Sequence, residues 1–222
     1  MNVEVRSKKF KRMAASKVYW APLESNPESM NTTGPSQKLV PHPLVAYRKE
    51  IYEKSNTNLM KLQTRKPYLI KQTIGNACGT IAMIHSLANN MNNIQLEDGV
   101  YKAFMDKTKD MTPKERCGFL ESNVEFSEIH SSTAASGQSE QIAAEDDSVD
   151  LHFVAFTVDE DGNLVELDGS LGDKNGSDGG MIVHKRLDEG ESLISASAGV
   201  IKRYMELDPS NPRFSILSLS PL

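Results

Sequence analysis

The chain has only two cysteines, Cys78 and Cys117, among its 222 residues. Two are too few for a disulfide framework or a cysteine-rich zinc site. A reducing, cytoplasmic setting is therefore the default expectation. No stretch approaches the roughly 20 apolar residues that cross a bilayer. The N-terminus lacks the apolar core of a secretory signal. Positive charge is in deficit as well. Twenty-five Lys and Arg against 30 Asp and Glu give a formal net charge of −5, which argues against bulk attraction to nucleic acid. No internal repeat is visible. What is present is ordinary: 38% apolar and 25% charged residues, enough for one domain or at most two small ones. The simplest expectation is a monomer with no membrane partner and no metal or organic cofactor.

Charge and turn residues divide the chain. Residues 1–12 carry +4 and the remainder −9, so the start reads as a basic disordered tail. Residues 13–222 then form the folded part. Residues 31–66 are polar and punctuated by Gly34, Pro35, Pro41 and Pro43. Within them Leu44 to Tyr47 reads as a short strand and 48–63 as a polar helix. Helices are expected over 77–90 with Asn76 as N-cap, over 97–107, and from Thr112-Pro113 to about Leu120. Residues 131–150 read as a long loop rich in Ser, Ala and Gly, without Lys or Arg. Strands are expected at 151–158 and 163–167, joined by a turn around Asp161-Gly162, and at 213–219. A last helix is expected over 191–206, with Ile194, Ala198, Ile201 and Met205 facing inward.

The residue with the most chemical promise is Cys78, in the first turn of the 77–90 helix. A helix N-terminus offers unpaired N–H groups and partial positive charge, both of which favour a thiolate. A buried structural cysteine is the competing reading. A nucleophilic cysteine needs a base, and the chain has five histidines. His85 lies roughly 10 Å along the same helix at 1.5 Å rise per residue, too far for a hydrogen bond. His42 and His184 read as solvated, and His130 borders the loop without rigid support. His152 opens an apolar strand that would fix its ring. The hairpin pairs residues whose numbers sum to about 320, which brings His152 opposite Asp168 to within a residue. That is the base–orienter arrangement of a catalytic triad. Gln72, six residues before Cys78, carries a side-chain N–H₂ suited to an oxyanion hole. Cys117 has no histidine placed near it and reads as inert.

These residues carry a resemblance. Trp20-Ala-Pro-Leu-Glu-Ser-Asn-Pro-Glu28, Lys71-Gln-Thr-Ile-Gly-Asn-Ala-Cys-Gly-Thr80 and Leu151-His-Phe with Glu166-Leu-Asp-Gly169 are similar to motifs of the ubiquitin C-terminal hydrolases, papain-like cysteine peptidases. Arg213-Phe214-Ser215 is similar to the family's final segment. The resemblance implies Cys78 as nucleophile, His152 as general base and acid, Asp168 as orienter and Gln72 as oxyanion donor. It implies an α/β (α+β) three-layer papain-like fold, with helices around a central antiparallel sheet. The chain departs from the family after Glu28, where the segment before the nucleophile is short and polar. The sheet is thus either complete or missing an N-terminal strand.

The implied activity is hydrolysis of small adducts or peptides from the C-terminal glycine of ubiquitin or a ubiquitin-like protein. Residues 131–150 match the family's crossover loop, which passes over the active site and limits the leaving group. Glu140, Glu145, Asp146 and Asp147 in this loop would steer the basic ubiquitin tail. Two other readings stand beside this one. One is a catalytically weak ubiquitin-binding protein or truncated isoform with an incomplete sheet. The other is a different papain-like thiol enzyme, such as an acyltransferase.

Overall fold

The computed structural model describes residues 37–39 (backbone), 47–54, 66–135, 152–171, 180–207, 209 and 214–218. A short strand β1 (Gln37–Leu39) precedes a helix α1 over residues 47–54. Four helices follow: α2 (Cys78–Ala88), α3 (Val100–Thr108), α4 (Pro113–Glu121) and α5 (Val124–Ala135). Then come β2 (His152–Val158), β3 (Asn163–Leu167), β4 (Met181–Arg186) and α6 (Leu193–Leu207). The strands form one antiparallel sheet in the order β1-β2-β3-β4.

Side-chain alternation along the hairpin builds the layers. Phe153 and Ala155 of β2, with Val165 and Leu167 of β3, pack against Cys78 and Ala82 of α2. Val154 and Leu164 point the other way, against Ala196, Val200 and Tyr204 of α6 and, at the margin, Tyr47 and Ile51 of α1. The far side of α2 buries Ile81 and Ile84 among Phe104, Leu120 and Phe126 of α3, α4 and α5. Every residue from Cys78 to Ser86 is buried. Helix α2 is therefore buried on all sides, between the sheet and the helical lobe, and its end is held rigidly. This is the three-layer α/β arrangement expected.

The N-terminal strand is present but only three residues long, pairing Leu39 with His152. Tyr47, expected in a strand, begins α1; Leu44, Val45 and Ala46 lie outside the described residues. The expected loop at 131–150 starts later, because α5 continues to Ala135. Strand β4 was not anticipated. Arg213 lies outside the described residues, and the expected last strand is reduced to a single bridge residue, Ile216. In α6 the inward stripe is Ala196, Ser197, Val200, Ile201 and Tyr204, whereas Ile194 is 62% and Met205 38% exposed. The assumed face was therefore rotated by roughly a quarter turn at 3.6 residues per turn, and Ile201 is common to both stripes. Helix α4 begins as expected, with Pro113 at its first turn and a Thr112–Glu115 capping box.

Candidate active site

Cys78 is the first residue of α2. Asn76 does not cap this helix. It takes a left-handed φ of 59°, a conformation Asn tolerates better than most residues, and Ala77 becomes the N-cap with no side-chain hydrogen bond. The first turn thus presents its amides without a side-chain cap, which is what an anionic sulfur or oxygen at that end requires. Cys78 itself is 9% exposed and packs among Leu69, Ala82, Phe153 and Leu167.

His152 and Asp168 meet as anticipated, but by a different register. The observed pairs, from Ala155 with Leu167 to Val158 with Leu164, sum to 322 rather than 320. Continuing that register places His152 opposite Ser170, so Asp168 is its diagonal neighbour on the same face. Long side chains bridge such diagonals readily. His152 Nε2 donates to Asp168 Oδ1 at 2.8 Å, and Ser170 Oγ lies 3.2 Å from the same nitrogen. Nδ1 is left for Cys78. Burial lowers the proton affinity of the ring. Asp168, by charge and hydrogen bond, and then Cys78 by the same two means, outweigh it and push the imidazole up to about 10.

Asp168 is itself buried, at 1% exposure. The Ser170 N–H and Oγ–H donate to Oδ1, both at 2.8 Å, and Arg48 Nη2 of α1 donates to Oδ2 at 2.7 Å. Burial alone would raise this carboxyl. The His152 and Arg48 charges, with hydrogen bonds from His152 and Ser170, hold it well below the usual carboxylate range. Gln72 docks next to this turn: its N–H donates to Gly169 O at 2.8 Å. Gly169 must be glycine for that approach, since a Cβ would sit 2.8 Å from Ile70 O and 3.0 Å from Gln72 N. The Gln72 side chain donates weakly to Ile74 O at 3.3 Å, and its buried Oε1 has no partner among the described residues. This loose tethering leaves Nε2 able to donate elsewhere.

Two other histidines, His130 and His184, differ from expectation. His130 is rigidly held: it lies on α5, is 3% exposed, and its Nδ1 is 2.7 Å from Thr80 Oγ1 on α2. His184 is not solvated; its Nε2 donates to Glu166 Oε2 at 2.8 Å and its side chain is 8% exposed. His42, the basic segment 1–12, Trp20 to Glu28 and the acidic Glu140, Glu145, Asp146 and Asp147 lie outside the described residues. Cys117 is buried, with Sγ 2.8 Å from Thr73 Oγ1, and burial pushes its thiol up, as an inert cysteine requires. Arg48 and Ser170 were not foreseen as neighbours of the site. Among the described residues no cluster of three His, Cys, Asp or Glu could hold a metal ion, and no helix is long and apolar enough to cross a membrane.

His85 is a packing residue, and it makes a testable pH dependence. It is fully buried, and its Nε2 accepts the Ile70 N–H at 2.9 Å, which fixes a neutral ring. Burial above all, with a smaller push from Arg116, lowers it from 6.5 to about 4 against the pull of Asp168. Its folded pKa is depressed, so the unfolded chain binds the extra proton first. Stability is then full above pH 6.5 and is lost as pH falls toward 4. The loss is roughly 3 kcal/mol at 1.36 kcal/mol per pKa unit. The paired carboxylates of Asp168 and Glu166 contribute their own acid loss only below their ordinary range near 4. Urea unfolding between pH 6.5 and 4.5 therefore shows a slope in the native chain that flattens in His85→Gln. An unchanged slope would show that another group is responsible.

Comparisons with known proteins show the family and the fold. Residues 39–206 match the family described as ubiquitin carboxyl-terminal hydrolase, family 1. The chain belongs to this family. A probable ubiquitin carboxyl-terminal hydrolase of Dictyostelium discoideum is 34% identical over 90% of this chain and 87% of its own length. The ubiquitin carboxyl-terminal hydrolase isozyme L1 of Rattus norvegicus is 35% identical over 80% of this chain and 74% of its own. The fold is shared with the UCH37 catalytic domain of Trichinella spiralis, solved bound to ubiquitin vinyl methyl ester. That match has a TM-score of 0.53 at 20% identity, covering 90% of this chain and 96% of that one. As a ubiquitin carboxyl-terminal hydrolase, the chain is a cysteine-type deubiquitinase.

Proposed function

We propose that Cys78, His152 and Asp168 are the nucleophile, the general base and acid, and the orienter of this hydrolase, and that Gln72 completes its oxyanion hole. The substrate is ubiquitin or a ubiquitin-like protein carrying a small adduct or peptide on its C-terminal glycine. The observation that carries this reading is the 2.8 Å His152–Asp168 hydrogen bond at a ring that also interacts with Cys78, the first residue of an uncapped helix. Thiolate Cys78 attacks the carbonyl carbon of the terminal glycine. The tetrahedral oxyanion is met by the Cys78 amide and Gln72 Nε2. His152 protonates the departing amine, then takes a proton from the water that releases the acyl group. Asp168 keeps Nδ1 aimed at sulfur by binding Nε2–H, and stabilises the imidazolium through both steps.

The folded unit in this reading is 13–222, with 1–12 as a tail outside it. The segment 131–150, whose first residues belong to α5, supplies the crossover loop in this reading, and its Glu140, Glu145, Asp146 and Asp147 steer the ubiquitin tail. Release of a fluorescent amine from the ubiquitin C-terminus tests the assignment. Cys78→Ala abolishes turnover. Gln72→Ala lowers kcat by roughly 10² with KM little changed, because its donor acts on the oxyanion and not on bound substrate. A folded wild type that binds ubiquitin without turnover would favour a binding protein instead. Turnover retained in Cys78→Ala would remove the cysteine mechanism.

A further inference from the structure

A buried chain of ionic contacts begins behind Asp168 and has no part in the steps above. Glu166 on β3 and Asp168, the first residue past its end, are two residues apart, so both carboxylates lie toward one face of the sheet. Helix α1 lays Arg48 across them. Its Nε donates to Glu166 Oε1 at 2.8 Å, Nη2 bonds the same oxygen, and Nη2 also reaches Asp168 Oδ2 at 2.7 Å. Glu166 Oε2 is held in turn by Tyr204 Oη at 2.6 Å and His184 Nε2 at 2.8 Å. Glu166 is 0%, Asp168 1% and Arg48 5% exposed. A guanidinium is a planar fork, and here Nε and Nη2 grip Glu166 while the same Nη2 also reaches Asp168, so one rigid group ties the two carboxylates together.

We propose that Arg48, fixed by Glu166, is a positioning residue that holds the Asp168 carboxylate in the rotation that aims Oδ1 at His152. This rests on the triad assignment above. Without the fork, Asp168 keeps only Ser170 and His152 as carboxylate partners among the described residues. Its Oδ2 is left buried and unpaired, and the carboxylate rotates to relieve that. The Nε2–H···Oδ1 bond then lengthens and the imidazolium loses support. The other charged or titratable groups that reach this pair are Cys78 and His85 on α2, with Arg116 of α4 facing His85. None of them contacts Oδ2 among the described residues.

The pH profile of kcat/KM for amine release separates positioning from mere packing. In Arg48→Met, kcat falls about tenfold, as expected when a catalytic group is misplaced by a fraction of an ångström, and KM changes little. The alkaline limb, which reports loss of the imidazolium proton, moves to lower pH by about one unit. Arg48→Lys keeps the charge but reaches only one carboxylate, so it shifts the limb the same way and by less. If Arg48→Met fails to melt cooperatively, Arg48→Lys carries the test alone. A limb that stays in place or moves upward in a folded variant overturns the proposal, even if thermal stability drops. Cys78→Ala is run alongside: turnover retained there sinks the triad reading itself. Turnover lost there with an unmoved limb in Arg48→Lys sinks only the role of Arg48.

Discussion

His152→Ala lowers kcat for amine release from ubiquitin by roughly 10³-fold or more, with KM changed little. The ring is asked for two things in each turnover: it stabilises the thiolate as an ion pair, and it delivers a proton to a leaving amine that is otherwise a poor leaving group. Among the described residues no other histidine can take over. His85 is locked neutral by the Ile70 N–H, His130 is committed to Thr80, and His184 to Glu166. What survives comes from the uncapped first turn of α2 and from bound-substrate orientation. Asp168→Asn is expected to fall between this variant and wild type. It keeps a side-chain oxygen for Nε2–H but no charge for the imidazolium, and it leaves Arg48 facing a neutral amide. Steady-state kinetics on both variants, with circular dichroism to show retained folding, measure the difference. Near-native kcat in His152→Ala would remove His152 from the mechanism.

The second large effect is on stability, at Gly180. This residue has φ +109° and its carbonyl accepts the Asp168 N–H at 2.6 Å. A Cβ there would lie 2.5 Å from Asp168 O and 3.1 Å from a Leu69 methyl. The close atom is backbone, so it cannot swing aside. Gly180→Ala therefore costs about 3 kcal/mol or more, combining backbone strain with overpacking. A control separates the two terms. Gly190 also has positive φ, at +77°, but a Cβ there meets nothing within 4 Å. Gly190→Ala should cost roughly 1 kcal/mol, the strain alone. Urea midpoints for the pair report the gap. Equal midpoints would show that the β3–β4 connection relaxes freely, which would also weaken the case that Asp168 is rigidly held.

The helices that were legible in the sequence are those with local signals strong enough to need no context. Thr112-Pro113 announced α4, and the apolar spacing of Ile81 and Ile84 announced α2. Helix α5 was missed because its outward face is Ser, Glu and Ala, and its inward face is polar in part: His130 and Thr133 are buried beside Phe126. Strand β4 was missed because it is half buried and runs from apolar Met181 to basic Arg186, with no bounding turn visible in a Gly/Asp/Ser-rich stretch.

At the site, residue type, spacing and the family resemblance pointed to Cys78, His152, Asp168 and Gln72 as candidates, and the His152–Asp168 hydrogen bond was anticipated. Their brace was not. Arg48 sits in a segment of alternating charges and looks like any solvated helix residue; only the tertiary fold lays it across β3. One signal was available. Glu166 stands between Val165 and Leu167, and all three are buried. A carboxylate there must be matched by a buried cation. The search for that partner, among the arginines before the nucleophile motif, would have led to Arg48.

The most direct test uses ubiquitin whose C-terminus ends in a thiol-reactive electrophile in place of the scissile amide. The chain has two cysteines, so the outcome is unambiguous. The expected result is a one-to-one covalent adduct with the peptide containing Cys78 and none with that containing Cys117. The adduct should disappear in Cys78→Ala and form much more slowly in His152→Ala. Labelling at Cys117, or labelling of Cys78 at a rate that does not depend on His152, would contradict it.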